Sequence, residues 1–594
     1  MALERVQDKE QKKRFKFLIA FGSLLIGIIF LRLFYIQLIS YWKFKSLAES
    51  NSTRIVPKRA ARGIIYDRYG EKLADSVPSY TVSIIPVDLK DSEKVIPMLA
   101  KILGILEEEI NQKIENQKQK VFEAIKIKGD LKASVISIIE EHRPELPGVI
   151  IHTEAKRNYP NKEIAAHVIG YVGEVNLNDI NKSKCYVGDT IGRAGIERKY
   201  DAELRGINGA SKIMVNSSGK EIKSLGDDPF TKGTDLVLTI DLKLQKAAEE
   251  YFKGRRGVIV CMNPGNGEVY ALVSKPSFDP NIFCGQLDKK EWSKILNDPE
   301  QPFLNRVVGG LYSPGSVFKI VPAVTALEKN KLTTSDVFVC RGTYHYGKDW
   351  TYDCWKSEGH GVISIVDAIS QSCDIYFYQL GLTVTAAKIS EYAGLFGYGS
   401  LTGVDLDGEK AGLVPTPVWK KDKYGIPWFP GNTIQYSIGQ GYITANPLQI
   451  LSTYDVVINN GTSYKPHLVK SVGGKEIEKG MLKSFAISAK TLEVVKKSLW
   501  KAVNSGGTGG KAKSVYGIAG KTATVENPHG LSHAAFVGYA PFANPEVSVL
   551  VFIEAGGSGG ENAAPIGKQV IESYFKLKKE RYAAARKTEH KELK

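Results

Sequence analysis

The stretch "GLYSPGSVFKIVPAVTALE", residues 310–328, decides the fold. It sets Ser316 three residues ahead of Lys319, just after Pro314-Gly315 and at the head of an apolar run. On a helix, positions i and i+3 share a face, so the lysine can reach the serine hydroxyl. The spacing alone carries little weight, because it recurs at Ser40–Lys43, Ser217–Lys220 and Ser498–Lys501. A polar helix start would look the same, and the rest of the chain has to decide.

Downstream, two further polar signals follow in order. Ser372-Cys373-Asp374 lies 56 residues after Ser316, and Lys521-Thr522-Ala523-Thr524 a further 149 residues on. The physics of an activated serine fits these residues. Pro314-Gly315 puts Ser316 at the positive end of a helix, which disfavours a charged Lys319. A second cation, Lys521, arriving from a strand would lower Lys319's proton affinity further. Lys319 is then the expected general base and Ser316 the nucleophile, with Ser372 relaying protons. Lys521 and Thr522 lie near the end of an edge-type strand, "VYGIAGKTATV", suited to holding a peptide carboxylate. The backbone N–H groups of Ser316 and Thr524 are the expected oxyanion hole.

Three ordered signals of this kind resemble the active-site-serine, penicillin-binding acyltransferases, whose signatures are Ser-x-x-Lys, Ser-x-Asn and Lys-Thr-Gly. The likeness extends to "RGIIYDRYG" (62–70), "GRAGIERKYD" (192–201), "PGNTIQYSIGQGYITANPLQI" (430–450) and "HAAFVGYAPFANPEVSVLVFIE" (533–554). The chain resembles a class B penicillin-binding protein of the elongation-type, rod-shape branch. That resemblance implies a peptidoglycan D,D-transpeptidase acting on stem peptides through a Ser316 acyl-enzyme and captured by β-lactams. It also implies RodA-type glycosyltransferase and MreC-type scaffold partners. Two residues depart from the pattern. Asp374 replaces the commoner Asn and, when ionised, accepts rather than donates, so it should hold a donor such as a lysine. Ala523 replaces glycine, and its methyl group is expected to narrow the acyl cleft. The competing readings are a D,D-carboxypeptidase or β-lactam hydrolase, for which no water-activating carboxylate motif is visible, and a non-enzymatic β-lactam-binding scaffold or sensor.

The flanking sequence sets the organisation, and the fold class is α+β multidomain. At 594 residues the chain has room for three or four domains. An apolar run from Phe17 to Ile39, interrupted only by Arg32, is ~23 residues long and suffices for a membrane span. Lys9, Lys12, Lys13, Arg14 and Lys16 precede it. We therefore read 1–16 as a cytoplasmic tail, 17–39 as an uncleaved single-pass anchor in the inner membrane, and the remainder as periplasmic. Residues 40–230 read as a β-rich pedestal of the dimerisation type, with a helical insert at about 88–155. Residues 231–575 read as the transpeptidase domain, an antiparallel sheet flanked by helices. Residues 576–594 form a charged tail, a solvated helix or disordered. Net charge is +16 without a basic stripe interleaved with aromatics, so nucleic acid is not an expected partner.

"CRGTYHYGKDWTYDCWKSEGHGVISIVDAISQSCD" (340–374) adds a feature that the serine chemistry does not need. Cys340, Cys354, His360 and Cys373 are a complete tetrahedral set for a structural Zn²⁺. Some elongation-type relatives resemble this, holding a zinc beside the Ser-x-Asp motif with Cys, His and carboxylates. The same residues also admit a Cys340–Cys354 disulfide with Cys373 as a buried small hydrophobe.

Overall fold

The computed structural model describes residues 2–45, 53–116, 124–175, 179, 189–215, 221–285 and 289–592. Ser217–Lys220 lies outside the described residues. Two compact units are present. One comprises residues up to 60, 79–154 and 207–231; the other comprises 61–78, 155–206 and 232–594. Residues 61–78 and 155–206, read from sequence as pedestal, thus fold with the catalytic region. The reason is pairing over long sequence separation. Ile65–Tyr66 runs parallel to Leu236–Val237, and the Ile64 N–H donates to Asp235 Oδ1 at 2.7 Å.

The N-terminal unit begins with the helix Ala2–Phe34. Its Lys12–Ile39 portion, extended through a short π turn, has mean hydropathy 2.4 and is long and apolar enough to cross a membrane. Farther on, the helices Ser92–Leu103, Glu107–Glu115 and Ala133–Glu141 bury Val95, Leu99, Leu103, Ile110 and Ile139 in one small core. The 90–145 stretch reads as helical throughout, but Ile125–Leu131 is a strand. Ile125 and Ile127 face inward while Lys126 faces out, a period of two too short to stand out between helices.

The larger unit is built on a five-stranded antiparallel sheet. Its order across the sheet is Val269–Lys275, Gly257–Met262, Val547–Ile553, His533–Ala540 and Ala519–Val525. Gly257–Met262 and Val547–Ile553 are buried at every position, because helices cover both faces. On one face Leu244, Ala248 and Phe252 of the helix Leu242–Phe252 join Val570 and Ile571 over Ile259, Val549 and Val551. On the other, Val321, Val324, Phe377 and Leu451 pack with Val260, Leu550 and Val537. Asp241 caps its helix by accepting from the Lys243 and Leu244 N–H groups.

That same carboxylate receives Arg581 through two bonds of 2.6 and 2.7 Å, and the guanidinium lies 3.7 Å from the Tyr69 ring centroid. The chain from Ala564 to Glu592 is therefore one helix, and the start of the expected charged tail is docked rather than free. Elsewhere in this unit, Arg62 and Arg157 bracket the fully buried Glu197, each at 2.6 Å. Burial would raise the Glu197 carboxyl pKa, but the two guanidinium charges more than offset it and hold it below the usual range.

Candidate active site

Gly315 has φ +58°, and a Cβ there would come within 2.6 Å of Val525 Cγ2, so only glycine fits this turn. The following segment, Gly315–Lys319, is a 3₁₀ turn that passes into the α-helix Ile320–Glu328. Sequence predicts an α-helical start here; the segment is instead a 3₁₀ turn, in which i and i+3 eclipse, so Ser316 and Lys319 still share one face. Ser316 is half-buried and Lys319 fully buried.

Lys319 Nζ donates to Asp374 Oδ1 at 2.7 Å, to the Ser372 carbonyl at 3.0 Å and to Ser372 Oγ at 3.3 Å. Asp374 thus holds a lysine donor. Ser372 adopts φ +56°, a left-handed conformation for a non-glycine residue, between the helices Ile365–Ser370 and Asp374–Val384. Strain of this kind persists only where the surroundings impose it. Here the end of the helix Ile365–Ser370 sets it, with the Ser372 N–H bonded to the Ile369 carbonyl at 3.3 Å and the Cys373 N–H to the Ala368 carbonyl at 3.0 Å, and Lys319 bonds the residue so placed.

Lys521 lies on the edge strand Ala519–Val525, which pairs on one side only, with His533–Ala540. Its ammonium is buried and donates to the Thr522 carbonyl at 2.9 Å. Burial first, then the charge of Lys319, holds its pKa well below the lysine range, with Asp374 opposing. Ala523 is 2% exposed, and its methyl faces the Gly315 turn, 3.5 Å from where a Cβ on that glycine would sit. Thr522 Oγ1 donates to Thr508 Oγ1 at 2.6 Å, and Thr524 Oγ1 accepts from the Gly559 N–H at 3.2 Å. Strand alternation sends both hydroxyls to the face opposite Lys521 and Ala523.

Cys340, Cys354, His360 and Cys373 converge beside this constellation, with one donor atom from each within 4.8 Å of the others. All three thiols are free, so no disulfide joins Cys340 to Cys354. His360 Nδ1 lies 3.5 Å from Cys340 Sγ and 3.6 Å from Cys354 Sγ. Cys373 Sγ caps the helix Asp374–Val384 by accepting the Tyr376 N–H at 3.4 Å.

Three groups at the site were not apparent from sequence. Trp355 donates its N–H to Asp374 Oδ2 at 3.2 Å and its indole N–H to the Gln371 carbonyl at 3.0 Å. This ties the cysteine loop to the carboxylate that holds Lys319. Thr508, within "SGGTGG", meets Thr522. Glu554 receives Tyr312 Oη at 2.7 Å, Arg306 Nε at 3.0 Å and Arg256 Nε at 2.9 Å, and so fixes the chain four residues ahead of Ser316. Only the glycine run around Thr508 offered a local signal.

Lys521 gives a test with opposite signs. Lys521→Met should lower the acylation rate by about 100-fold, the scale of losing one placed cation at a reacting centre. It should also raise stability at pH 7 by about 1–2 kcal/mol, by removing a buried ammonium. A depressed folded-state pKa means that the unfolded chain binds more protons, so parent stability rises with pH towards ~10.4. The variant's advantage should therefore shrink over that window. Thermal denaturation at several pH values checks this, and a variant less stable than the parent at pH 7 would refute it.

Two protein families match the chain: the penicillin binding protein transpeptidase domain over residues 257–572 and the penicillin-binding protein dimerisation domain over 57–238. Peptidoglycan D,D-transpeptidase MrdA of Haemophilus influenzae is 32% identical across 96% of this chain and 94% of its own length. The solved complex of a penicillin-binding protein (PBP2) with MreC from Helicobacter pylori is 28% identical, with TM-score 0.79, over 88% of this chain and 99% of that one. A structure titled as coordination of polymerization and crosslinking by a peptidoglycan synthase complex is 29% identical, with TM-score 0.71, over 94% and 98%.

Proposed function

The chain belongs to the penicillin-binding protein transpeptidases, and from that premise we propose how its residues divide the work. It is a serine D-Ala-D-Ala transpeptidase that cross-links peptidoglycan stem peptides during cell elongation. Ser316 Oγ attacks the penultimate D-Ala carbonyl, and Lys319 takes its proton. Asp374, 2.7 Å away, stabilises the ammonium so formed. As the C–N bond breaks, a proton passes through Ser372 Oγ to the departing D-Ala amine. An amine on a neighbouring stem then attacks the Ser316 ester and restores the hydroxyl. The N–H groups of Ser316 and Thr524 hold the developing oxyanion, and the edge strand that carries Lys521 and Thr522 anchors the substrate carboxylate. The observation that carries this reading is Lys319 bonded at once to both members of the Ser372–Asp374 pair.

The same reading places the N-terminal apolar helix across the inner membrane, with the catalytic unit on the periplasmic side. Its partners are an MreC-type scaffold, supported by the complex of a similar protein with MreC, and a polymerising enzyme, which we take to be a RodA-type glycosyltransferase, supported by the peptidoglycan synthase complex. Cys340, Cys354, His360 and Cys373 would hold a structural Zn²⁺. At ~2.3 Å Zn–S and ~2.0–2.1 Å Zn–N, a tetrahedral ion separates sulfur from nitrogen by about 3.5–3.6 Å. The two His360 contacts, 3.5 and 3.6 Å, match that figure. A set filled by four protein donors leaves no open position, so the ion would order the loop rather than take part in the chemistry.

Purified full-length protein given a stem pentapeptide and an acceptor stem should release D-Ala and form a cross-linked dimer in comparable amounts. Release without dimer would instead mark a carboxypeptidase.

A further inference from the structure

Residues 416–442 carry an aromatic surface that the acyl-transfer chemistry does not use. Trp419 lies 5.6 Å from Tyr424 and 5.4 Å from Tyr442 between ring centroids, and Trp428 lies 6.4 Å from Tyr442. These rings are half-buried or exposed, Tyr424 at 48%. Lys423 reaches over Trp419 and Tyr424, at 5.4 and 5.5 Å. Such a cluster normally packs inward, and its exposure needs an occupant.

We propose that this shelf is a saccharide subsite, taking the glycan backbone of the strand whose stem peptide enters the cleft. The inference rests on the transpeptidase reading above and adds to it a recognition site for the sugar chain. Position is the first argument. Tyr442 stands between Gly439, whose carbonyl accepts the Gly315 N–H at 2.9 Å, and Ala445, which exchanges backbone bonds with Tyr312 at 2.9 Å each. The shelf is therefore hydrogen-bonded, through its own chain segment, to the turn that presents Ser316. A stem peptide with its D-Ala end at Ser316 leads outward to the sugar that bears it.

Chemistry is the second. Pyranose rings present a face of C–H groups that stacks on an aromatic plane and an edge of hydroxyls that needs polar partners. Here the Tyr424 and Tyr442 hydroxyls and the exposed Gln435 and Lys423 offer such partners beside the rings. Among the described residues, Lys421 and Lys423 form no ion pair and remain available to the carboxylates of the attached peptide.

Rigidity is the third. Lys420 is buried under the loop and donates to the Pro427 carbonyl at 2.9 Å and to Asn432 Oδ1 at 2.7 Å. Trp428 Nε1 donates to Thr433 Oγ1 at 2.8 Å, and the buried Tyr436 stacks on Phe318, 5.4 Å away. The rings are thus set before any ligand arrives, which favours a weak, polar ligand with little binding energy to spend on ordering a loop.

The test uses full-length protein in detergent and glycan strands stripped of their stem peptides, with free stem pentapeptide as a second ligand. The parent should bind the stripped strands. Trp419→Ala and, separately, the more exposed Tyr424→Ala should each weaken that binding by about tenfold, the scale of one lost aromatic stacking contact. The free peptide should bind each variant as it binds the parent. A parent that ignores stripped glycan overturns the proposal. So do variants that bind glycan like the parent but lose a purified MreC-type or RodA-type protein, an outcome that would make the shelf a protein interface. Failure of the parent to be acylated by penicillin would overturn the transpeptidase reading without touching the glycan result.

Discussion

Ser316→Ala should abolish covalent labelling by a fluorescent penicillin, and Lys319→Ala should lose it nearly as completely, because nucleophile and base act as one unit and their losses do not add. The serine is half-buried on a 3₁₀ turn whose backbone is fixed by Gly315 and Gly439, so its hydroxyl carries no part of the core. Its removal should leave the melting temperature within a few degrees. Lys319 is different. Its Nζ is one half of a 2.7 Å pair with Asp374 and also bonds Ser372, and Ser372 is held in a left-handed conformation. Lys319→Ala should therefore lose stability as well as activity, by about 3–5 kcal/mol, the scale of breaking a buried pair on one side. Gel labelling and thermal denaturation of the two variants separate these effects. Persistent labelling of Ser316→Ala would remove it as nucleophile, and a Lys319→Ala protein as stable as the parent would remove the pair as a support for Ser372.

What could be read in the sequence follows from distance along the chain. Ser316 and Lys319, or Lys521 and Thr524, lie within one turn or strand segment, where residue type and spacing already carry the geometry. Asp374 read as a lysine's counter-ion because an ionised carboxylate can only accept. The contacts that support these groups come from topology instead. Glu554 meets Tyr312 across 242 positions because Val547–Ile553 lies centrally in the sheet, and no local pattern announces that. The Ile64–Asp235 bond, spanning 171 positions, ties residues 61–78 to the strand at 236–238 in the same way. The strand Ile125–Leu131 was hidden by its brevity. The four metal-type ligands were legible as a set, but their spacing resembled no known finger; what the sequence could not show is that their donor atoms converge within 4.8 Å of one another.

Purified protein should carry about one zinc per chain, and His360→Ala should lose it. Removing a ligand in direct contact should weaken zinc by more than the ~10–100-fold typical of losing an outer partner. The consequence should reach the catalytic residues by a route visible in the structure. Cys373 stands between Ser372 and Asp374 and caps the helix that Asp374 begins. The loop from Cys354 also delivers the Trp355 N–H to Asp374 Oδ2. Without the ion, three thiols and an imidazole whose Nε2 has no partner are left to hold a loop that contributes little apolar burial. Trp355 and Asp374 should then separate, and Ser372 should lose part of what holds it at positive φ. His360→Ala and chelator-treated parent should therefore share a lowered melting temperature and a slower penicillin acylation. Added zinc should restore the chelated parent and not the variant. Elemental analysis, melting curves with and without chelator, and acylation rates read the three effects independently. A metal-free parent with unchanged melting behaviour would show that the thiol–imidazole packing alone holds the loop.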